Sequence, residues 1–304
     1  MKMIDKNIFG DYSPIKIIKY FVILFFISIS FISCADYFGK AQIPHYILIS
    51  DMSIKTNYPT QGSAVSDIKE CWVYADGELL GAFDKNKLIP IVSDNDIVDI
   101  IIVAGIRANG SNSDIVEYFL LQPITKSIEN TEGEVDTINA QFSYNENAKF
   151  LFFEGFEGTN IFTEDIDENT NTKVTTTTSQ HNSGSACGRI VLDSENDEIE
   201  VTSSLDFYHL PSDGNQTFLE ISYKCNNEFF VGVLGQDESS GSEYNTDVIY
   251  VVNSDEWNRM YINLTSTIYD SGLGLYKIYF YAKYNGLDTT TEIYLDDIKF
   301  LYLN

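Results

Sequence analysis

The sequence predicts an all-β protein made of two β-sandwich domains. Short runs of β-branched and aromatic residues alternate with clusters of Gly, Asn, Asp and Ser, and no segment beyond residue 33 has a helical hydrophobic period. The 304 residues include twenty Tyr and twenty Phe, far more than a disordered chain would carry. About 270 residues follow the N-terminal segment, which is enough for two hydrophobic cores.

Residues 1–33 are predicted to be a signal peptide. Four lysines precede or flank the start of the apolar run 20–32, which at thirteen residues is too short to cross a membrane as a helix. The run leads into Phe31-Ile32-Ser33-Cys34, which resembles the lipobox of bacterial lipoproteins, although Phe31 stands where Leu is usual. The resemblance implies acylation of Cys34 as the new N-terminus, with residues 34–44 as a lipid-anchored linker. The alternative is an uncleaved membrane anchor.

The expected location is the outer membrane. In lipoproteins of this kind an Asp directly after the lipidated cysteine implies the inner membrane, and Ala35 stands at that position here. The resemblance leaves open whether the chain faces the periplasm or the cell surface.

The charge of the chain excludes some partners. The sequence carries 45 acidic and 19 basic residues, for a formal net charge of −26. Removal of residues 1–33 takes away four Lys and two Asp, so the remaining chain would carry −28. Such a charge repels nucleic acid and anionic lipid, and membrane contact is therefore expected through the lipid anchor only.

Residues 45–145 are predicted to form the N-terminal sandwich. Asp76-Gly77 separates two β-prone runs and predicts a two-residue hairpin, because both turn positions need positive φ. The segment Trp72 to Gly81 resembles the hairpin signature of PEGA-type and transthyretin-like envelope domains. The resemblance implies an immunoglobulin- or transthyretin-like sandwich that acts as a spacer or docking module.

Residues 146–304 are predicted to form the C-terminal sandwich. The segment opens with Gly155-Phe156-Glu157 and ends with Tyr294-Leu295-Asp296-Asp297-Ile298, and between them lie further β-prone runs. These two ends resemble the first and last strands of galactose-binding-like jelly rolls, the fold of many carbohydrate-binding modules. The resemblance implies a jelly roll whose opening and closing strands are neighbours.

The same resemblance implies a structural calcium site where those two strands meet. The candidate ligands are Glu157, with Glu154 as its substitute, and Asp296 or Asp297. Carboxylate and carbonyl oxygens suit Ca²⁺. The alternative is that the Asp pair only ends a strand and that Glu157 faces water.

Sugar binding needs exposed aromatic rings. Strand alternation places Tyr279 and Tyr281 opposite the apolar face of their strand, and Tyr261 with Asn263 opposite Ile262 in another. These four residues are the predicted sugar platform. The alternative is that the tyrosines close the edges of the core and only their hydroxyls reach water.

The remaining reactive residues indicate no enzyme. If Cys34 is lipidated, the remaining cysteines are Cys71, Cys187 and Cys225. Cys187 and Cys225 could form a disulfide in an oxidising compartment, and Cys71 is expected to be buried. The three histidines belong to no recognisable catalytic constellation, and no Gly-x-Ser-x-Gly or phosphate-binding loop occurs.

Two functions from different classes follow from the sequence. The first is a non-catalytic envelope lipoprotein whose jelly roll binds a glycan. The second is a structural or interaction lipoprotein that docks on another envelope protein and binds no small ligand.

Overall fold

Strands make up most of the regular structure in the computed structural model, which describes residues 18, 19, 24, 43–111, 113–208 and 210–304. The predicted all-β fold class is confirmed. Apart from those three early positions, the predicted signal peptide lies outside the described residues, as does Cys34. The chain divides after Pro44, and His45–Asn304 form one unit. Within the described ranges, no helix has the length and apolarity to cross a membrane.

The N-terminal part of this unit consists of two facing sheets. Its elements are β1 (His45–Lys55), α1 (Tyr58–Gln61), β2 (Glu70–Ala75), β3 (Glu78–Asp84), β4 (Leu88–Ile91), β5 (Ile97–Arg107), β6 (Ile115–Glu117), β7 (Ile124–Glu129) and β8 (Val135–Ser143). Sheet 1 has the order β4-β1-β8, and sheet 2 has the order β3-β2-β5-β6 with β7 also paired to β5. Alternate residues of both sheets bury one apolar core between them.

The Asp76-Gly77 turn forms as predicted. It connects β2 to β3 in an antiparallel pair, and φ is 50° at Asp76 and 83° at Gly77. Asp76 also accepts a hydrogen bond from the backbone N–H of Asp99 at 3.0 Å. This bond ties the turn to the neighbouring strand β5.

The C-terminal part is a second pair of sheets. Its elements are β9 (Ala148–Glu154), β10 (Phe162–Asp165), β11 (Thr175–Thr177), β12 (Cys187–Leu192), β13 (Glu198–Ser203), β14 (Phe207–Tyr208), β15 (Thr217–Cys225), β16 (Phe229–Gln236), β17 (Glu243–Val251), β18 (Ser254–Asn263), α2 (Thr265–Ser271), β19 (Leu275–Lys283) and β20 (Thr291–Leu303). Sheet 3 has the order β11-β12-β20-β15-β18 with β9 also on β20. Sheet 4 has the order β10-β13-β19-β16-β17 with β14 also on β19.

The first and last strands of this second sandwich are neighbours, as the sequence resemblance implies. β9 and β20 pair antiparallel, with Glu154 opposite Ile298. A register shift in the pairing of β15 with β20 leaves Asp297 bulged, with a left-handed φ of 47°. A bulge re-aims the side chains around it, and here both Asp296 and Asp297 become fully buried.

The two sandwiches share a buried junction. Phe218, Tyr261 and Leu301 of the C-terminal sandwich belong to the hydrophobic core of the N-terminal one. Tyr118 contacts two of them, with its ring centroid 5.1 Å from that of Phe218 and 5.4 Å from that of Tyr261. The geometry is edge-to-face, which aromatic pairs favour.

A charged network lies at the centre of this junction. Glu220 is fully buried and accepts hydrogen bonds from the Tyr118 hydroxyl (2.5 Å), the Tyr144 hydroxyl (2.9 Å) and the Arg259 guanidinium (2.5 Å). Burial opposes the charge of Glu220, but the neighbouring cations Arg259 and Lys299 hold its pKa below the ordinary value. The network therefore connects the two sandwiches through hydrogen bonds from Tyr118 and Tyr144 to a buried ion pair of the C-terminal sandwich.

Candidate functional site

Three aromatic side chains form a row across the outer face of sheet 4. Tyr250 on β17 lies opposite Phe230 on β16, and Phe230 lies opposite Tyr281 on β19. The ring centroids of Phe230 and Tyr250 are 4.9 Å apart, and those of Phe230 and Tyr281 are 5.9 Å apart. These three residues are called the aromatic row below.

Strand alternation explains why the aromatic row faces outward. The neighbours Phe229, Val231 and Phe280 are buried in the core of the second sandwich. Because successive side chains of a strand point to opposite faces, Phe230 and Tyr281 must lie on the other side. Tyr250 is 46% exposed, and the other two rings are partly buried.

Hydrogen bonds to carboxylates fix the tyrosines of this face. Burial and a hydrogen bond to Glu198 raise the pKa of Tyr281. Burial and a hydrogen bond to Glu228 likewise raise the pKa of Tyr250. Each phenol therefore stays neutral and donates, so the rings are held in place before any ligand arrives.

Tyr279 lies on the same face of sheet 4 as Tyr281, two residues earlier on β19, but it is not exposed. It is 4% exposed, and burial together with the charges of Glu200 and Asp247 raises its pKa. Gly232 lies directly between Tyr279 and Asp247 across the sheet. Glycine is required at this position because a Cβ would lie 2.1 Å from the backbone oxygen of Thr246 on β17.

Acidic residues surround the aromatic row. Glu198, Glu200 and Glu228 lie beside its two tyrosines, and Asp247 lies beside Tyr279 on the same face. The two lysines of β19 are already paired, Lys277 with Glu164 at 2.5 Å and Lys283 with Glu198 at 3.1 Å. The face is therefore negative overall, and it favours an uncharged ligand over an anionic one.

The predicted platform of Tyr261, Tyr279, Tyr281 and Asn263 does not exist as one surface, and this prediction is wrong. Tyr261 lies in sheet 3, whereas Tyr279 and Tyr281 lie in sheet 4. Tyr261 is 2% exposed because it packs against the N-terminal sandwich, and its hydroxyl accepts a hydrogen bond from the backbone of Asp67 at 3.1 Å. Asn263 is held by the same junction, with its backbone N–H donating to Asn109 Oδ1 at 2.9 Å.

Phe230 and Tyr250 are the residues that sequence reasoning missed. Phe230 lies in the apolar run Phe229 to Leu234, in which inward and outward positions look alike. The alternation used for β19 also applies to this strand. What the sequence does not contain is the register that brings Phe230 beside Tyr281.

The calcium candidates converge on one loop of the second sandwich. Asp296 Oδ2 accepts the backbone N–H groups of Asn182 (2.8 Å) and Ser183 (3.0 Å), and the Ser183 hydroxyl donates to Asp297 Oδ1 at 2.8 Å. Glu157 accepts the backbone N–H of Ser185 at 2.6 Å. The loop of residues 182–186 thus connects the residues that follow the first strand to the last strand.

The four carboxylates of this region differ in the hydrogen bonds that they accept. Glu154 accepts N–H groups of its own segment, from Phe156 at 2.6 Å and Ile161 at 2.9 Å, so it shapes the end of β9. Burial and the charge of Asp297 raise the pKa of Asp296 to about 7. Asp297 Oδ2 is buried and has no hydrogen-bond partner. Within the described residues, no group of three or more His, Cys, Asp or Glu forms a metal site by itself, so backbone oxygens would have to complete one.

The possible disulfide between Cys187 and Cys225 is absent, and this prediction is wrong. Both residues are buried free thiols, as is Cys71. The Cys187 thiol donates to the carbonyl of Gln180, and the Cys225 thiol to that of Val252. Burial raises the pKa of Cys187 to about 12 and that of Cys225 to about 11, which makes both unreactive.

No protein-family model matches the sequence, and no curated protein matches it. Among solved structures, the chain is similar to a family 30 carbohydrate-binding module at 14% identity, with 43% of this chain and 74% of that one covered and a TM-score of 0.36. It is also similar to the C-terminal family 22 carbohydrate-binding module of a Clostridium thermocellum protein, at 14% identity, 53% and 98% coverage and a TM-score of 0.32. A carbohydrate-binding module of the β-sandwich superfamily matches at 15% identity, 76% and 84% coverage and a TM-score of 0.36. At these TM-scores the likeness says nothing about the ligand of this chain.

Proposed function

We propose that this chain is a non-catalytic glycan-binding protein whose aromatic row holds a neutral polysaccharide. The observation that carries the proposal is the row itself: three aromatic rings on three adjacent strands of one exposed sheet face. Neighbouring strands are about 4.8 Å apart, so the row extends for about 10 Å across the sheet. This length suits a chain of sugar rings that crosses the strands.

Physical chemistry favours a sugar as the ligand of this face. The apolar faces of pyranose rings stack on aromatic rings, and the surrounding carboxylates accept hydrogen bonds from sugar hydroxyls. Glu198 and Glu200 are placed for this second role because both lie beside tyrosines of the face. The same carboxylates repel uronate or sulfate groups, so the proposal names neutral glycans.

The proposal includes an address and a structural ion. The order of basic residues, apolar run and Cys34 supports a lipid anchor in the outer membrane. The buried and unpartnered Oδ2 of Asp297 supports a Ca²⁺ ion held by Asp297 and Glu157 with backbone oxygens of the loop 182–186. Such an ion would hold the ends of the sandwich together.

Affinity electrophoresis tests the glycan proposal. The protein is run in gels that contain xylan, mixed-linkage β-glucan or mannan, with polygalacturonate as an acidic comparison. We expect retardation by at least one neutral polymer and none by polygalacturonate. Phe230→Ala and Tyr281→Ala should each weaken the interaction about two- to tenfold, because an aromatic contact contributes about 0.5–1.5 kcal/mol. Tyr269→Ala, an exposed tyrosine on α2, is the matched control and should behave as wild type.

Two results would overturn this proposal. One is the absence of retardation of the wild-type protein in every neutral gel. The other is retardation that persists unchanged when Phe230 and Tyr281 are both replaced.

A further inference from the structure

A pocket of about 280 Å³ lies where the two sandwiches meet. The C-terminal sandwich contributes Tyr250, Asn258 and Arg259 to its lining, and the N-terminal sandwich contributes Asp67, Lys69 and Arg107. It is called the junction pocket below. Pockets for small ligands commonly occur at such domain boundaries.

The walls of the junction pocket are fixed before any ligand binds. The backbone N–H of Asn109 donates to the carbonyl of Tyr261 at 2.9 Å, and Ala108 forms a β-bridge with the same residue. Asp67 is held by its N–H bond to the Tyr261 hydroxyl. The loop after β5 and the segment before β2 are therefore attached to β18, and the pocket keeps its shape.

The junction pocket opens at one end of the aromatic row. Tyr250 is the last ring of the row, 4.9 Å from Phe230, and it also lines the pocket. Val252, two residues further on, lines the pocket as well and is 58% exposed. A ligand that lies along the row from Tyr281 to Tyr250 thus reaches the pocket next.

The charges around the junction pocket cancel. Lys69 pairs with Asp67 at 2.8 Å, Arg259 pairs with Glu220 at 2.5 Å, and Arg107 pairs with Glu70. In the described part of the chain, each cation that lines the pocket therefore has a carboxylate partner. The wall therefore suits a ligand that is polar and uncharged.

Asp67 and Lys69 remain accessible to such a ligand. Their side chains are 37% and 55% exposed. A carboxylate has about four acceptor sites and an ammonium three N–H donors, so both keep capacity after their mutual bond. A hydroxyl group both donates and accepts hydrogen bonds. Two hydroxyls on adjacent carbons of a sugar therefore match this pair, since one can donate to Asp67 while the other accepts from Lys69.

We propose that the junction pocket binds the uncharged terminal sugar of the glycan that lies on the aromatic row. The volume lies just below the usual range for ligand pockets, about 300–1,000 Å³, and fits a chain end better than a long segment. This inference rests on the proposed glycan function and adds to it that the N-terminal sandwich recognises the chain end. In this proposal the N-terminal sandwich is part of the binding site.

The test compares a polymer with a short oligosaccharide of the same sugar. Polymers offer many internal segments for the row and few ends, whereas a hexasaccharide brings one chain end with every six sugars. The full chain is assayed in neutral-polymer gels and by calorimetry with the hexasaccharide of the polymer that retards it. Val252→Trp blocks the pocket, and the double variant Asp67→Ala/Lys69→Ala removes its exposed ion pair.

We expect both pocket variants to weaken hexasaccharide binding about tenfold or more, a loss of about 1.4 kcal/mol, while polymer retardation changes less than about twofold. Tyr281→Ala should weaken both. Val92→Trp is the control for a surface tryptophan, since Val92 is 68% exposed and does not line the pocket. Lys126→Ala on β7 is the control for loss of an exposed lysine in the N-terminal sandwich.

Each outcome separates the two proposals. If the pocket variants bind the hexasaccharide as wild type does while Tyr281→Ala weakens it, the chain-end inference is wrong and the glycan function stands. Tighter binding of a uronate-ended hexasaccharide than of the neutral one also overturns the inference, because the pocket would then be anion-selective. Failure of the wild-type chain to bind any neutral polymer overturns both.

Discussion

Replacing Glu220 by alanine should destabilise the protein by about 3–5 kcal/mol. Glu220 has no exposed surface and accepts hydrogen bonds from Tyr118 and Tyr144 of one sandwich and Arg259 of the other. Without its carboxylate the Arg259 guanidinium, whose side chain is 2% exposed, is a buried cation that has lost its ion pair. Breaking a buried pair on one side costs this amount because the remaining charge stays out of water.

Urea unfolding monitored by circular dichroism measures the effect as a change in the free energy of unfolding. The informative comparison is the double variant Glu220→Leu/Arg259→Met, which replaces the pair with apolar side chains. It should be more stable than Glu220→Ala, because the buried charge of Arg259 is removed together with that of its partner. A cost below about 1 kcal/mol for Glu220→Ala would refute the reasoning. So would a double variant whose loss of stability equals the sum of the losses of Glu220→Leu and Arg259→Met measured singly.

Two further predictions concern the C-terminal sandwich. Calcium at one hundred times its dissociation constant should raise the free energy of unfolding by about 2.7 kcal/mol, seen in calorimetry as a higher melting temperature that chelator reverses. Asp297→Asn should abolish this calcium-dependent stabilisation. If the wild-type protein shows neither a heat of calcium binding nor a shift in melting temperature, the ion is excluded. Gly188→Ala should cost about 1–3 kcal/mol, because the added Cβ would lie 2.5 Å from Phe156 Cζ in the core. Gly158→Ala, with no atom within 4 Å of the added Cβ, is its control in the same urea titration and should leave stability unchanged.

Local sequence signals were sufficient where the structure depends on neighbours in the chain. Asp76-Gly77 predicts its own turn because positive φ is needed at both positions, and both adopt it. The alternation of β19 places Ile278 and Phe280 in the core and Tyr281 outside, as observed. The likeness of two distant segments to jelly-roll ends predicted the pairing of β9 with β20.

Sequence signals failed where the structure depends on partners far along the chain. Tyr261 has the same local pattern as Tyr281, an aromatic residue between two inward apolar ones. Only tertiary structure distinguishes them, because one sheet face is covered by the N-terminal sandwich and the other is open. A possible disulfide between Cys187 and Cys225 fits the cysteine count and an oxidising compartment, but each thiol instead donates to a backbone carbonyl.

The junction network and the junction pocket are two consequences of one arrangement. A pocket shared by two sandwiches binds well only if the sandwiches keep a fixed geometry, since ordering them on binding would cost free energy. Hydrophobic contact alone tolerates sliding, whereas Glu220 accepts bonds from both sandwiches at fixed positions. Arg259 takes part in both features, since it pairs with Glu220 and lines the pocket. The double variant Glu220→Leu/Arg259→Met should therefore weaken hexasaccharide binding even where it preserves stability, because the pocket loses its fixed wall while the aromatic row remains.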